Sequence, residues 1–566
     1  MIKKYYSMLL AGTVSIAVES VMLMSDTLIC GIFLGADAVS GITIVSPLYS
    51  AAAFFSLIFS LGVPILYSSE IGSFRKKEAD RVFGNGLLLA IITGLGLFIF
   101  VLVFGKAFIQ LNRPSAAISA SAADYLFFIK YTILLFPVSA LLSECIFADG
   151  GEALSSIAGL LQAIGNVAGS IILCQVMGVK GIALSSFLFN CISLLILASY
   201  FFKKSCSLRI CFYFSFDIIK KIVRYSIIDA ESYLFIGMMI AVLNTFISIR
   251  FGSASLILVS VISLSRELQF VFDGIGEAIS PILTIYYSEN CSSGMGKIYH
   301  IAQKTAIAEG IICMVLTWII APFVPDILHI SDPAMASTAT VVLRIISISS
   351  VFVSFLYFLT SYDLLIDRIT LGSLTSALRD ILLPAPLAVL LGYFFGIYGV
   401  SVGIAISPAL TVLLVQLYLR KKNPADVPLL LGDMRKIPSF LYDFSLEENN
   451  IINVRDRIWD TLKEHDYDKR TINNVCLLFE DTCMLILEEN KGSHVDAECS
   501  LLLLNDRVRI ILRDTGKQFD VTSSDMKVSS LRSYVVSNIA THISPKKKHL
   551  STINFNRNAF EIELRH

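Results

Sequence analysis

Two carboxylates stand in the first long apolar stretch of the chain, Glu19 and Asp26 in ESVMLMSDTLICGIFLG. A carboxylate near the middle of a bilayer-spanning helix costs roughly 2.5 to 3.5 kcal/mol on insertion scales, so it seldom occurs there without a partner, a water-filled cavity or a proton. The seven-residue spacing of the pair brings both within about 20 degrees of one helix face, two turns apart. Burial favours the protonated form of a carboxyl, and a bound cation or water favours the ionised form. An acid whose surroundings alternate therefore links ion movement to a change of conformation. Moving one charge across about 100 mV is worth about 2.3 kcal/mol, equivalent to a roughly fifty-fold concentration ratio.

The elements that position these acids follow from composition. The 566 residues are 55% hydrophobic and only 16% charged, with a mean hydropathy of +0.73, far too apolar for a soluble protein of this size. Net charge is zero and the isoelectric point about 7.0, so no nucleic-acid partner is expected. The eleven cysteines form no CxxC motif and no Cys/His cluster and read as reduced packing residues. The opening MIKKYYSMLL has the basic start of a signal peptide, but the apolar run continues past Leu28 without a small-residue cleavage site, which predicts a retained span.

Apolar segments long enough to cross about 30 Å fall at 8–33, 38–66, 82–104, 124–147, 154–177 and 181–202, then at 225–249, 254–287, 305–325, 337–361, 376–395 and 399–419. About twelve spans are expected. If every segment crosses, Lys3 and Lys4, Arg75 to Arg81, Lys203 to Lys221, Lys297 and Lys304, and Arg420 to Lys422 share one side, leaving Lys106, Arg113, Lys180 and Arg250 on the other. The excess of basic residues marks the cytoplasmic side. A multi-pass protein of the cell membrane with both termini in the cytoplasm is expected.

The chain also repeats. Lys3 and Lys4 recur as Lys220 and Lys221, and Gly35 recurs as Gly252, at an offset of 217; the stretch from Gly178 recurs from Gly396, and Lys203 and Lys204 as Lys421 and Lys422, at 218. Six spans per copy is an even number, so the copies should share one orientation about an axis along the membrane normal, with a substrate cavity between them. This divides the chain into a six-helix lobe at 1–217, a second at 218–422, a linker at 423–437 and a polar domain at 438–566.

Residues 5–422 resemble the multidrug and toxic compound extrusion (MATE) transporters. Asp26, Gly31 and Gly35 in SDTLICGIFLGADAVSG are similar to that family's first-helix aspartate and following turn, Pro47 to its second-helix proline, the loop from Leu66 to its first cytoplasmic loop, and Asn166 to its fifth-helix asparagine. Ser170 stands where an acid is usual, and Ser186 in place of a sixth-helix threonine. The resemblance implies an ion-coupling set of Asp26, Asn166, Ser170 and Ser186, to which the helix-face argument adds Glu19. Asp229, Glu231, Glu267 and Asp273 are second-half cavity candidates. Arg266 and Glu267 are adjacent and so lie on different helix faces.

After Arg420 the periodicity becomes that of a soluble domain. A strand is predicted near 441–446, helices near 451–465 and 469–490, strands near 495–504 and 507–513, a helix near 529–542, and final strands near 549–555 and 559–565, together an α+β sandwich. This tail resembles the anti-sigma-factor type of histidine-kinase-like ATPase domain: Glu480 and Asp481 match its acidic helix, and DTGKQFD from Asp514 matches its aspartate–glycine box, which implies nucleotide contacts at Asp514 and Gly516. The metal-binding asparagine falls at Met484 or Leu485, and Ser530, Leu531 and Arg532 replace the phosphate-covering glycines. Without an oxygen ligand for the metal or backbone room for phosphates, ATP turnover is not expected. A degenerate, regulatory or protein-binding tail is.

The expected function is secondary export of organic cations, drugs or toxic metabolites, coupled to H⁺ or Na⁺, by a protein that is not an enzyme and has no cofactor. Its expected partners are the small-molecule substrate, membrane lipids and a cytosolic regulatory protein bound by the tail. Two alternatives stand beside it: a lipid-linked sugar flippase of the same superfamily, and a transporter-like sensor signalling through its tail. The first would need a more basic cavity than the sparse intramembrane Lys and Arg provide.

Overall fold

The computed structural model describes residues 2–72, 75–203, 206–211, 214–424, 426, 428–517, 542–545 and 556–563. The first half of the membrane region runs α1 (Ile2–Leu34), α2 (Ala36–Gly72), α3 (Lys76–Leu111), α4 (Ala116–Ala148), α5 (Glu152–Met177) and α6 (Val179–Ala198). The second runs α7 (Phe216–Phe251), α8 (Leu256–Leu268), α9 (Asp273–Ser288), α10 (Ser292–Ile320), the single turn α11 (Val324–Ile327), α12 (Pro333–Ser347), α13 (Ser350–Leu365), α14 (Ile369–Ala377) and α15 (Pro384–Lys422). Short polar signals start several helices: Ser115 accepts from the Ile118 N–H before α4, and Asp332 caps α12 with Pro333 behind it, each occupying a donor the first turn leaves unpaired.

Among the described residues nine helical runs are long and apolar enough to cross a membrane, or ten with α12 and α13, bent by 44°, taken as one span. The run Ile369–Lys422 passes as one although Gly396 interrupts it, and α1 enters only through Met24–Leu34. Separating those two accounts for the twelve expected segments. The chain is a multi-pass membrane protein.

The repeat is written in the backbone. Gly35 and Gly252 have φ of 85° and 88°, and Gly178 and Gly396 of 62° and 70°, conformations open to glycine without steric cost. Pro64 inside α2 and Pro281 inside α9 differ by the same 217. Thr43 and Ser260, also 217 apart, donate and accept across a 2.6 Å hydrogen bond between their hydroxyls. They therefore mark the axis relating the halves. The halves also pack closely further along α2, where a Cβ on Gly62 would lie 2.4 Å from the Ile222 carbonyl of α7.

Two compact units divide the chain. The larger holds Thr13–Gly274 and Ala306–Val415; the smaller holds Met1–Gly12, Ile275–Thr305 and Gln416–His566. In the smaller unit β1 (Ser439–Ser445), β2 (Asp496–Leu503), β3 (Arg507–Asp514), β4 (His542–Pro545) and β5 (Asn556–Glu563) form an antiparallel sheet of order β1-β2-β3-β5-β4. Two helices, α16 (Glu448–Glu464) and α17 (Lys469–Glu489), cover one face through Ile451, Ile458, Phe479, Leu501 and Val508. Boundaries agree with expectation to within a few residues as far as β3. Of the helix expected at 529–542 only His542 is described, and it opens the unanticipated four-residue β4; the strand expected at 549–555 lies outside the described residues.

Candidate functional site

Within the larger unit a cavity of about 360 Å³ opens between the two halves of the repeat, lined by α1, α2, α4, α5 and α6 on one side and by α7 and α8 with Phe270 on the other. Asp26 lies on its wall, half-buried. Its Oδ2 accepts from the Tyr125 hydroxyl at 3.0 Å and the Ser186 hydroxyl at 3.3 Å, and its Oδ1 from the Asn166 amide at 3.4 Å. Asn166 is held in turn: its Oδ1 accepts from Ser186 at 3.1 Å and Ser170 at 3.4 Å, and its main-chain carbonyl from Ser185 at 2.9 Å. Three helices, α1, α5 and α6, thus bring Asp26, Asn166, Ser170 and Ser186 to one point, and α4 adds Tyr125. Donors converging on a carboxylate stabilise its ionised form, while the oxygens of Asn166 and the hydroxyls suit a proton or a small hard cation. Among the described residues no group of three or more His, Cys, Asp and Glu is placed to hold a metal.

The other acids separate. Glu267 of α8 faces the same cavity; Ser263 donates to its Oε1 at 3.1 Å, and Oε2 is buried with no hydrogen-bond partner among the described residues. Arg266, next to it and about 100° round the helix, reaches instead into a buried cluster. Arg266 Nη2 lies 2.6 Å from Asp380, which also takes Arg379 at 2.7 and 3.0 Å, and the Arg379 guanidinium stacks 3.7 Å from the Tyr357 ring centre. Glu231 is buried, accepts from Ser373, and does not line the cavity; nor does Asp273. The side chains of Glu19 and Asp229 lie outside the described residues.

Tyr125, Arg379 and Asp380 escaped the sequence reading. A tyrosine in an apolar span looks like packing, and the Arg–Asp pair sits on a π-helical turn at Leu378–Leu382 that no local pattern announces. Asp363 also went unnoticed: it is fully buried in α13, and neither carboxylate oxygen has a hydrogen-bond partner among the described residues.

In the tail, Asp514 Oδ1 accepts from the Asn556 amide at 2.7 Å and the Gly516 N–H at 2.9 Å, and burial pushes this carboxyl above its ordinary range. A Cβ on Gly516 would lie 2.6 Å from the Asn490 amide nitrogen. Asn556 offers Asp514 the kind of N–H donor an adenine amino group would bring. Glu480 accepts from Arg455 at 3.1 Å and lies, with Asp481, on α17. Phe519 and Ser530 to Arg532 lie outside the described residues.

A two-half bundle around a central cavity, with an acid held on its wall, is the architecture of a carrier. The fold is that of MATE transporters. An inward-facing multidrug resistance MATE family transporter of the MOP superfamily superimposes with a TM-score of 0.67 at 17% identity, covering 75% of this chain and 99% of that one. A MOP superfamily transporter from Pyrococcus furiosus, described by the reverse polarity of its binding pocket, gives 0.60 at 16%, over 76% and 96%. A MATE protein in complex with MaD3S gives 0.59 at 17%, over 77% and 97%. Residues 13–172 match the MatE family model. No curated protein matches the chain.

Proposed function

We propose that this protein is a MATE-type secondary antiporter of the cell membrane that exports organic cations or toxic metabolites in exchange for H⁺ or Na⁺, its termini in the cytoplasm. The observation that carries this reading is the placement of Asp26, hydrogen-bonded by three side chains, on the wall of a cavity that Glu267 of the other half also faces. Two acids and a lining that includes Tyr49, Phe136, Tyr233 and Phe270 suit an amphipathic cation, the rings through their electron-rich faces. No Lys or Arg lines the cavity among the described residues, which favours a cation over a lipid pyrophosphate. Asp26 exchanges its proton or metal cation for substrate as the halves alternate, and the MatE match over the half that carries Asp26 supports that role.

The test is efflux of a fluorescent organic cation from cells lacking their own pumps, comparing wild type, Asp26→Asn and a chain truncated after Lys422. Wild type lowers dye accumulation, and Asp26→Asn abolishes the effect at equal expression. Repeating the assay without Na⁺, and then with the proton gradient collapsed, identifies the coupling ion. Absence of wild-type efflux across a broad panel of cations overturns the reading.

A further inference from the structure

An antiparallel sheet in a small domain usually packs one face and exposes the other to water. The tail sheet does not. Its helix-free face carries Glu498 and Ser500 on β2 and Arg513 on β3, with Glu498 and Arg513 directly opposite in register, and all three are buried. What covers them is the segment joining α9 to α10, which belongs to the same compact unit.

Arg513 is the centre of the contact. It donates to Glu498 Oε1 at 2.6 Å and Ser500 at 3.0 Å on its own sheet, and to Glu289 from the α9–α10 turn. Arg557 of β5 donates to the other Glu289 oxygen at 2.7 Å, and the Tyr286 hydroxyl of α9 donates to Glu498 Oε2 at 2.7 Å. At the edge the Ser292 and Ser439 hydroxyls are 2.9 Å apart, and Lys297 pairs with Asp443. A buried charge left without its partner is strongly unfavourable, so the network holds the two surfaces together or separates as a whole. Just beyond it, Thr305 of α10 meets the Tyr5 hydroxyl of α1 at 2.6 Å, a contact between the two halves of the repeat. Alternating access requires the halves to move against each other.

We propose that the tail is an intramolecular brace: docking of its sheet on the α9–α10 turn, with Arg513 bracketed by Glu289 and Glu498, fixes α10 where it meets α1 and restrains transport until the tail undocks. This rests on the exporter reading for its transport readout, and it makes the chain's own loop the tail's first partner.

The experiment uses the full chain carrying Cys291→Ser with Ser292→Cys and Ser439→Cys. Oxidation should join the two new cysteines, read as a disulfide-linked peptide by mass spectrometry, and should slow dye efflux by about fivefold or more, the low end of ordinary coupling between sites. Reductant should restore the rate. In the same background Arg513→Ala should lower the cross-link yield, and alone it should raise efflux above wild type. Failure of the cross-link to form, or equal efflux by oxidised and reduced protein, overturns the brace. If Arg513→Ala does not accumulate, the cysteine pair decides alone. If wild type moves no dye, the exporter reading fails, whereas the cross-link yields still decide docking.

Discussion

Replacing Asp380 by asparagine should unfold the second half without touching the transport chemistry. Asp380 has no exposed surface, and both its oxygens are taken by guanidiniums that are themselves buried: Arg266 at 2.6 Å and Arg379 at 2.7 and 3.0 Å. An asparagine keeps the shape, removes the charge and turns an amide NH₂ toward donors. Loss of one member of a buried ion pair costs about 3 to 5 kcal/mol, because the remaining charge is stranded. At 1.4 kcal/mol per tenfold, this is roughly a hundredfold to a few thousandfold in the ratio of folded to unfolded chain. The stacking of Arg379 on Tyr357 and its bond to Ser232 at 3.0 Å remain and offset little of that. The assay is thermal inactivation and protease resistance of the full chain in detergent, together with its abundance in membranes. Abundance should fall sharply while efflux per molecule of folded protein stays at the wild-type level, since Asp380 does not line the cavity. An Asp380→Asn protein as resistant as wild type would refute the reasoning, showing that the cluster contributes no net stability.

Glu267→Gln should behave in the opposite way, with unchanged abundance and a half-saturating concentration for cationic dyes raised by about five- to thirtyfold, equivalent to about 1 to 2 kcal/mol of lost attraction; an equal loss for neutral compounds would count against it. Tyr125→Phe removes the closest donor to Asp26, at 3.0 Å. A hydrogen bond to a charged group is worth about 1.5 to 3 kcal/mol, so dose–response curves should show efflux reduced by about ten- to a hundredfold at normal expression. In the tail, burial raises the Glu561 carboxyl, but hydrogen bonds from Arg507 and Arg509 outweigh it and hold it below its ordinary 4.5. A group whose folded pKa is depressed contributes stability above its unfolded pKa and loses it as pH falls toward the folded one. Acid titration of the full chain should therefore show an unfolding component of the tail below pH 4.5, shifted in Arg509→Gln; an unshifted curve would remove Glu561 from the account.

Asp26 was readable as a candidate because a membrane makes an acid in an apolar span conspicuous. Asn166, Ser170 and Ser186 were picked out by their likeness to the MATE pattern, and the structure brings all three together with Asp26. Adjacency on a helix was likewise enough to predict that Arg266 and Glu267 face different surroundings. Other features left no local trace. Tyr125 cannot be told from lipid-facing aromatics by spacing, and Arg379–Asp380 depends on a π turn whose residues are ordinary helix formers. The Glu289–Arg513 contact joins positions 224 apart, and no periodicity in either segment foretells it. The repeat predicted the paired glycine turns, but not that its second copy of α2 would be interrupted at Gln269–Phe272.

The bond between Thr43 and Ser260 also bears on the symmetry of the cavity. In a symmetric homodimer a residue on the twofold axis meets its own copy, and these two repeat-related positions meet in the same way within one chain. The cavity beside it no longer obeys the symmetry. Adding the 217-residue offset to Asp26 leads to Leu243, and subtracting it from Glu267 leads to Ser50, so each half supplies one acid from a place the other has abandoned. A twofold-symmetric cavity would offer a guest two equivalent poses. This one is lined differently by its two halves, so an occupant has no second, equivalent pose in it.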